Sequence, residues 1–235
     1  PTGVDMAKMK VEFLHHYKAK NGYTLKDKLV AYLPDYAPWA ARFAPILNLR
    51  DKVPGLAMLS EKMLGFSAKR SLPQWQSKTF WNSAPVFASK EEVLQANKLG
   101  KKPVVLFVDT FNAFFESENA ISALKVLLAG EYNAYVATKH VADKMTNTPL
   151  CCGRTYLASG MVDKAREKLQ ELVAVLLPFA KQGIAIVGLE PSCLLTLRDE
   201  ALVMGLGEDA KLLSEHAFLL EEFLANEAKA GKLDV

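Results

Sequence analysis

The sequence is short of cysteine, of charge imbalance and of long apolar runs, and each shortage removes a class of protein. Cysteine occurs three times in 235 residues, at Cys151, Cys152 and Cys193. An odd count with one adjacent pair does not make the framework of a secreted, disulfide-stapled domain, so a reducing, cytoplasmic compartment is expected. There is no Cys-x-x-Cys spacing, which removes the usual structural-zinc signature. Lys plus Arg number 29 and Asp plus Glu 26, a net charge of +3. That balance is too mild for a nucleic-acid binder or a protein held on a membrane surface by charge. The longest apolar runs, such as residues 104–108 and 184–189, fall far short of the roughly 20 residues a membrane span needs. The chain opens Pro1-Thr2-Gly3-Val4-Asp5, without an initiator Met and without the basic-then-apolar pattern of a signal peptide, and reads as a piece of something longer.

What is present is a folded chain. Half the residues are apolar and 23% charged, enough apolar surface to offset the entropy of ordering. The composition changes near residue 100. Residues 1–100 hold Trp39, Trp75 and Trp81 and most of the prolines. Val4, Met6, Met9, Phe13 and Leu14 have helical spacing, ended by Gly22. Residues 25–33 read as a second helix stopped by Pro34. Residues 39–49 and 56–66 read as further short helices bounded by Pro38, Pro45, Pro54 and Gly65, and 71–85 as an irregular aromatic linker. This half is expected to be a helical, proline-rich region that wraps a partner or the second half.

Residues 101–235 follow another grammar. The run 103–108 is continuous and rich in β-branched residues, as expected of a strand buried on both faces. Residues 118–128 are helical and precede Gly130, and 134–137 form a second short strand. Val162, Ala165, Leu169, Leu172, Val173, Leu176 and Leu177 mark a long amphipathic helix with a kink expected at Pro178 and a stop at Gly183. Residues 184–187 are a third strand, and Pro191 stands where the next helix begins. Alternating strands and helices predict an α/β domain, a parallel sheet in a three-layer arrangement.

In such sheets, ligands bind at the carboxyl ends of the strands. Asp109 follows the first strand and Glu190 the third. Cys151-Cys152-Gly153 precedes the long helix, and Cys193 falls in the first turn of the helix opened by Pro191. Forty residues separate Cys152 from Cys193, yet the topology allows all three thiols to converge. The helix N-terminus favours a Cys193 thiolate. Gly153, lacking a side chain, permits close backbone approach, and Arg154 is placed to balance negative charge. Thiolates are what iron–sulfur clusters and zinc require, although free cysteines are also common as small buried hydrophobes. Other candidates are weaker. His15 and His16 are neighbours on a helix and point apart; His140 and His216 are isolated; Gly205-Leu206-Gly207 lacks the strand–glycine–helix setting of a dinucleotide fingerprint. Arg198, Asp199 and Glu200 suit either a supporting role behind Cys193 or a solvated helix face. Lys98, Lys101 and Lys102 read as a solvated linker cluster.

Two stretches carry a family resemblance. Pro149-Leu150-Cys151-Cys152-Gly153-Arg154-Thr155-Tyr156-Leu157-Ala158-Ser159-Gly160 and Val187-Gly188-Leu189-Glu190-Pro191-Ser192-Cys193-Leu194-Leu195-Thr196-Leu197-Arg198-Asp199-Glu200 resemble the C-terminal cysteine-rich (CCG-type) region of FAD-linked oxidases, iron–sulfur oxidoreductases related to D-lactate dehydrogenases and glycolate oxidases. Val105-Leu106-Phe107-Val108-Asp109-Thr110-Phe111 is similar to the strand that opens that domain. Pro1-Thr2-Gly3-Val4-Asp5-Met6 resembles the exit from a ferredoxin-like module.

The resemblance implies a parent chain with flavin and ferredoxin-like domains, holding FAD and a 4Fe-4S cluster outside these residues. Residues 1–100 would follow the ferredoxin-like module, and 101–235 would be the CCG-type domain. It implies an electron-transfer or docking role in oxidising a lactate- or glycolate-like 2-hydroxyacid, with an unidentified acceptor and with membrane association only through partners. Cys151, Cys152 and Cys193, with Gly153 beside them, would be iron–sulfur or metal ligands or redox thiols. Asp109 and Glu190, standing where related domains carry cysteine, would be auxiliary ligands. A cluster-less structural or interaction domain of the same kind of oxidase is the alternative.

Overall fold

In the computed structural model, residues 3–96, 99–141, 144–145 and 149–233 are described. Pro1, Thr2, Lys98 and most of the polar stretch between 142 and 148 lie outside the described residues, as does the His140 side chain. The chain divides into two compact units, Pro1–Ser77 with Gly153–Glu167, and Lys78–Cys152 with Lys168–Val235.

The first unit is helical. Asp5 caps the helix Met6–Asn21 by accepting from the Ala7 and Lys8 amides at 3.0 Å, and Gly22, at φ 81°, ends it. Thr24 and Asp27 form a reciprocal capping box on Leu25–Ala31. Two prolines act differently from expectation. Pro34 does not stop a helix; it lies in the first turn of a new one, Leu33–Arg42, where its missing N–H costs nothing. Pro38 lies inside that same helix instead of bounding it. Pro45 likewise opens Ala44–Leu47. The helix Leu56–Leu64 ends on left-handed Gly65 as expected. Within this unit Tyr156 is fully buried and donates its hydroxyl to Asp35.

The second unit is α/β. Strands β1 (Lys102–Phe107), β2 (Tyr132–Val136), β5 (Ala185–Gly188) and β6 (Ala217–Leu219) make one sheet in the order β2-β1-β5-β6, every pairing parallel. A separate two-residue antiparallel ribbon pairs β3 (His140–Val141) with β4 (Lys144–Met145). β1 is buried from Val104 through Phe107 because helices flank the sheet, which is why its sequence is apolar without alternation. The helix Ser117–Ala129 buries Ala120, Ala123, Leu124 and Leu127, and leads to β2. The helix Val162–Ala180 runs through Pro178 and places Phe179 on Tyr135, ring centroids 5.2 Å apart. β6 is a fourth strand that the sequence reading lacks. Three residues directly after the helix Gly207–His216 give no alternation to read. No helix among the described residues is long and apolar enough to cross a membrane.

The strand order sets the position of the site. From β1 the chain moves to β2 on one side and later returns to β5 on the other side of β1. The direction of winding therefore reverses between β1 and β5, and the crevice at their carboxyl ends is where such sheets bind ligands.

A thiol and carboxylate cluster at the switch point

β1 and β5 are in register with Phe107 opposite Gly188. Asp109 and Glu190 thus each stand two residues beyond a paired position, side by side at the crevice, and each caps the helix that follows. Asp109, 2% exposed, caps Thr110–Phe114. Its Oδ1 accepts from the Phe111 amide at 2.8 Å and the Asn112 amide at 3.2 Å, and its Oδ2 from the Asn112 side-chain amide at 2.7 Å. Burial pushes this carboxyl above the ordinary range; the Asn112 and Phe111 hydrogen bonds oppose the shift and the charge of Glu190 adds to it. Glu190 caps Pro191–Arg198, its Oε1 accepting from the Ser192 hydroxyl at 2.6 Å and the Ser192 amide at 3.3 Å.

Cys193 is the third residue of that helix, and its own amide donates to the Glu190 carbonyl at 3.0 Å. Cys193 is buried, 6% exposed, as is Cys152, 2% exposed, and the Cys152 side chain acts on the Cys193 thiol. Cys151 is half-buried, and none of the three cysteines is in a disulfide. Cys193 thus follows the carboxyl end of β5, where Cys152, Asp109, Cys151 and Glu190 all act on its thiol.

The acidity expected of Cys193 is corrected by this environment. The hydrogen bond from Cys152 favours the thiolate. Burial and the negative charge of Asp109, Cys151 and Glu190 outweigh it, and the thiol lies above its ordinary value. A helix terminus acts only over its first turn, whereas removing an ion from water penalises it wherever it sits. One consequence is measurable. At pH 8 iodoacetamide should label Cys151 first, and Cys193 about a hundredfold more slowly in the native chain than in urea, since both burial and protonation suppress attack. Equal rates for Cys193 in the two states, followed by mass spectrometry, would contradict the placement.

Gly153 belongs to the first unit. At φ 84° it is the residue before the helix Arg154–Ala158, and a Cβ built on it would meet the Ala165 carbonyl oxygen at 2.6 Å. The close approach expected of it is therefore to protein backbone. Arg198 pairs with Glu222 at 2.8 Å on the surface. His15 bonds to the Gly160 carbonyl, His16 to Glu12 and His216 to the Leu212 carbonyl. Asn112 and Ser192, which hold the two carboxylates, went unread; the signals are an Asp with Asn three residues on, and Glu-Pro-Ser at a helix start.

A four-thiolate cluster does not fit these residues. Three thiols are present, and both carboxylates already accept hydrogen bonds from the turns they cap. Among the described residues, no group of three or more His, Cys, Asp or Glu side chains is arranged to hold a metal ion.

No family model matches the chain, and no solved structure matches it. Among curated proteins, it is 24% identical over 217 residues to a D-2-hydroxyglutarate dehydrogenase of Escherichia coli, covering 89% of this chain and 20% of that protein. It is 25% identical over 250 residues to a D-2-hydroxyglutarate dehydrogenase of Haemophilus influenzae, covering 99% and 23%. It is 26% identical over 197 residues to one subunit of the anaerobic glycerol-3-phosphate dehydrogenase of Escherichia coli, covering 81% and 44%. The chain thus spans between a fifth and less than half of the length of these relatives.

Proposed function

We propose that the chain is the C-terminal electron-transfer or docking portion of a flavin-dependent 2-hydroxyacid oxidoreductase. The observation that carries this reading is how the similarity is distributed. At least 81% of the chain aligns both with dehydrogenases of a 2-hydroxyacid and with a subunit of a dehydrogenase of glycerol phosphate. A segment shared by enzymes of chemically different substrates does not itself select the substrate. What such enzymes have in common is the removal of electrons afterwards. On this reading a flavin domain and a ferredoxin-like module of the parent protein lie outside these residues, FAD oxidises the substrate there, and the thiol cluster between β1 and β5 is where this unit meets the electron path. The cluster-less alternative, a domain that only docks, draws support from the capped carboxylates and the protonated Cys193.

The test uses the complete protein that carries these residues. D-2-hydroxyglutarate should bleach its flavin under anaerobic conditions. Removing the 235 residues should leave bleaching intact and lower acceptor reduction by about tenfold or more, a barrier change of at least ~1.4 kcal/mol. A shortened protein that still reduces the acceptor at the full rate would contradict the proposal.

A further inference from the structure

We infer that the outward side of the helix Met6–Asn21 is a docking surface for the flavin-bearing portion of the parent protein. This deepens the reading above and rests on it for the existence of that portion. The helical period gives this helix two sides. Val11, Leu14, His15 and Lys18 lie together on one and are half-buried. That side is fixed to its own unit. His15 Nδ1 bonds to the Gly160 carbonyl at 3.3 Å, Lys18 pairs with Asp27, and a Cβ built on Gly160 would meet the Leu14 carbonyl carbon at 2.8 Å. At 100° per residue, Met6, Met9, Phe13 and Tyr17 fall within an arc of about 80° on the opposite side. Each is between 49% and 71% exposed. Phe13 and Tyr17 stack with ring centroids 5.7 Å apart, and Lys10 and Lys20 are exposed on the same side. The more apolar side therefore points away from the unit that holds the helix, the reverse of an ordinary surface helix.

Charge and length favour this occupant. The first unit carries 15 Lys and Arg against 8 Asp and Glu, and the rest of the chain 14 against 18. A symmetric contact between two copies would set this basic side against itself. An apolar patch rimmed by carboxylates complements it, and methionines adapt to the shape of such a patch. The chain covers 20% and 23% of the two D-2-hydroxyglutarate dehydrogenases. On the proposed reading most of the parent is therefore tethered to these residues, and the tether raises the effective concentration enough for one helix side to suffice.

Methionine footprinting tests this surface. Hydrogen peroxide converts exposed methionines to sulfoxides, and mass spectrometry reads each position. Met6 and Met9 should oxidise about tenfold more slowly in the complete protein than in the 235-residue chain, while the buried Met161 and Met204 stay slow in both. A carbodiimide should join Lys10 or Lys20 to a carboxylate of the flavin-bearing portion. Phe13→Glu should abolish the protection and leave the urea midpoint of the 235-residue chain unchanged, because Phe13 is exposed. Met9→Glu repeats the test without touching the Phe13–Tyr17 stack. None of these readouts follows electron transfer, so full-rate acceptor reduction by the shortened protein would contradict the proposed function and leave this surface standing. Equal oxidation rates in the two proteins, protection that survives both substitutions, or cross-links only to another part of the parent would each overturn the inference. So would protection that the 235-residue chain gains by itself at higher concentration, the mark of a second copy, or on adding phosphatidylglycerol vesicles, the mark of a membrane.

Discussion

Gly153→Ala should destabilise the first unit by about 3 kcal/mol, the sum of the ~1–2 kcal/mol cost of a left-handed residue with a Cβ and a further ~1–2 kcal/mol for forcing that atom into packed backbone. Gly153 sits at φ 84°, and its added Cβ would lie 2.6 Å from the Ala165 carbonyl oxygen and 3.0 Å from the Ala165 Cα. All three nearest atoms are Ala165 backbone, so no flexible side chain can move aside. Gly183 supplies the control, since it also has a left-handed backbone, φ 71°, but nothing within 4 Å of its Cβ position. Gly183→Ala should therefore cost only the conformational part, about 1 kcal/mol. Urea unfolding of the two variants separates the contributions. Equal losses would mean that the approach of residue 153 to residue 165 is looser than described.

The parts of this structure that were legible in the sequence are those governed by neighbours in the chain. β1 and β5 stand out because a strand covered on both faces must be apolar throughout. The position of Cys193 in the first turn of a helix follows from Pro191 two residues earlier. The acidity of Cys193 was not legible, because the groups that set it come from three separate segments. β6 was missed because its three residues hold their place only through pairing with β5. Pro34 and Pro38 show the same limit at short range. A proline restricts its own φ and donates no hydrogen bond, but whether it begins a helix or lies within one depends on where the preceding helix stops, here at Ala31. The carboxylates were legible as strand-end residues, and their engagement with Asn112 and Ser192 was not, since cap geometry is settled by side-chain placement.

On the proposed function electrons leave the flavin through this unit's thiol cluster, and the two half-reactions of the complete protein test that path most directly. In anaerobic stopped flow, Cys152→Ser and Cys193→Ser should leave reduction of the flavin by D-2-hydroxyglutarate at the unmodified rate. Reoxidation by the physiological acceptor should fall by about a hundredfold, because each variant removes one sulfur of the cluster placed on the electron path, equivalent to ~2.7 kcal/mol on that step. Reoxidation at the unmodified rate in both variants would contradict the account.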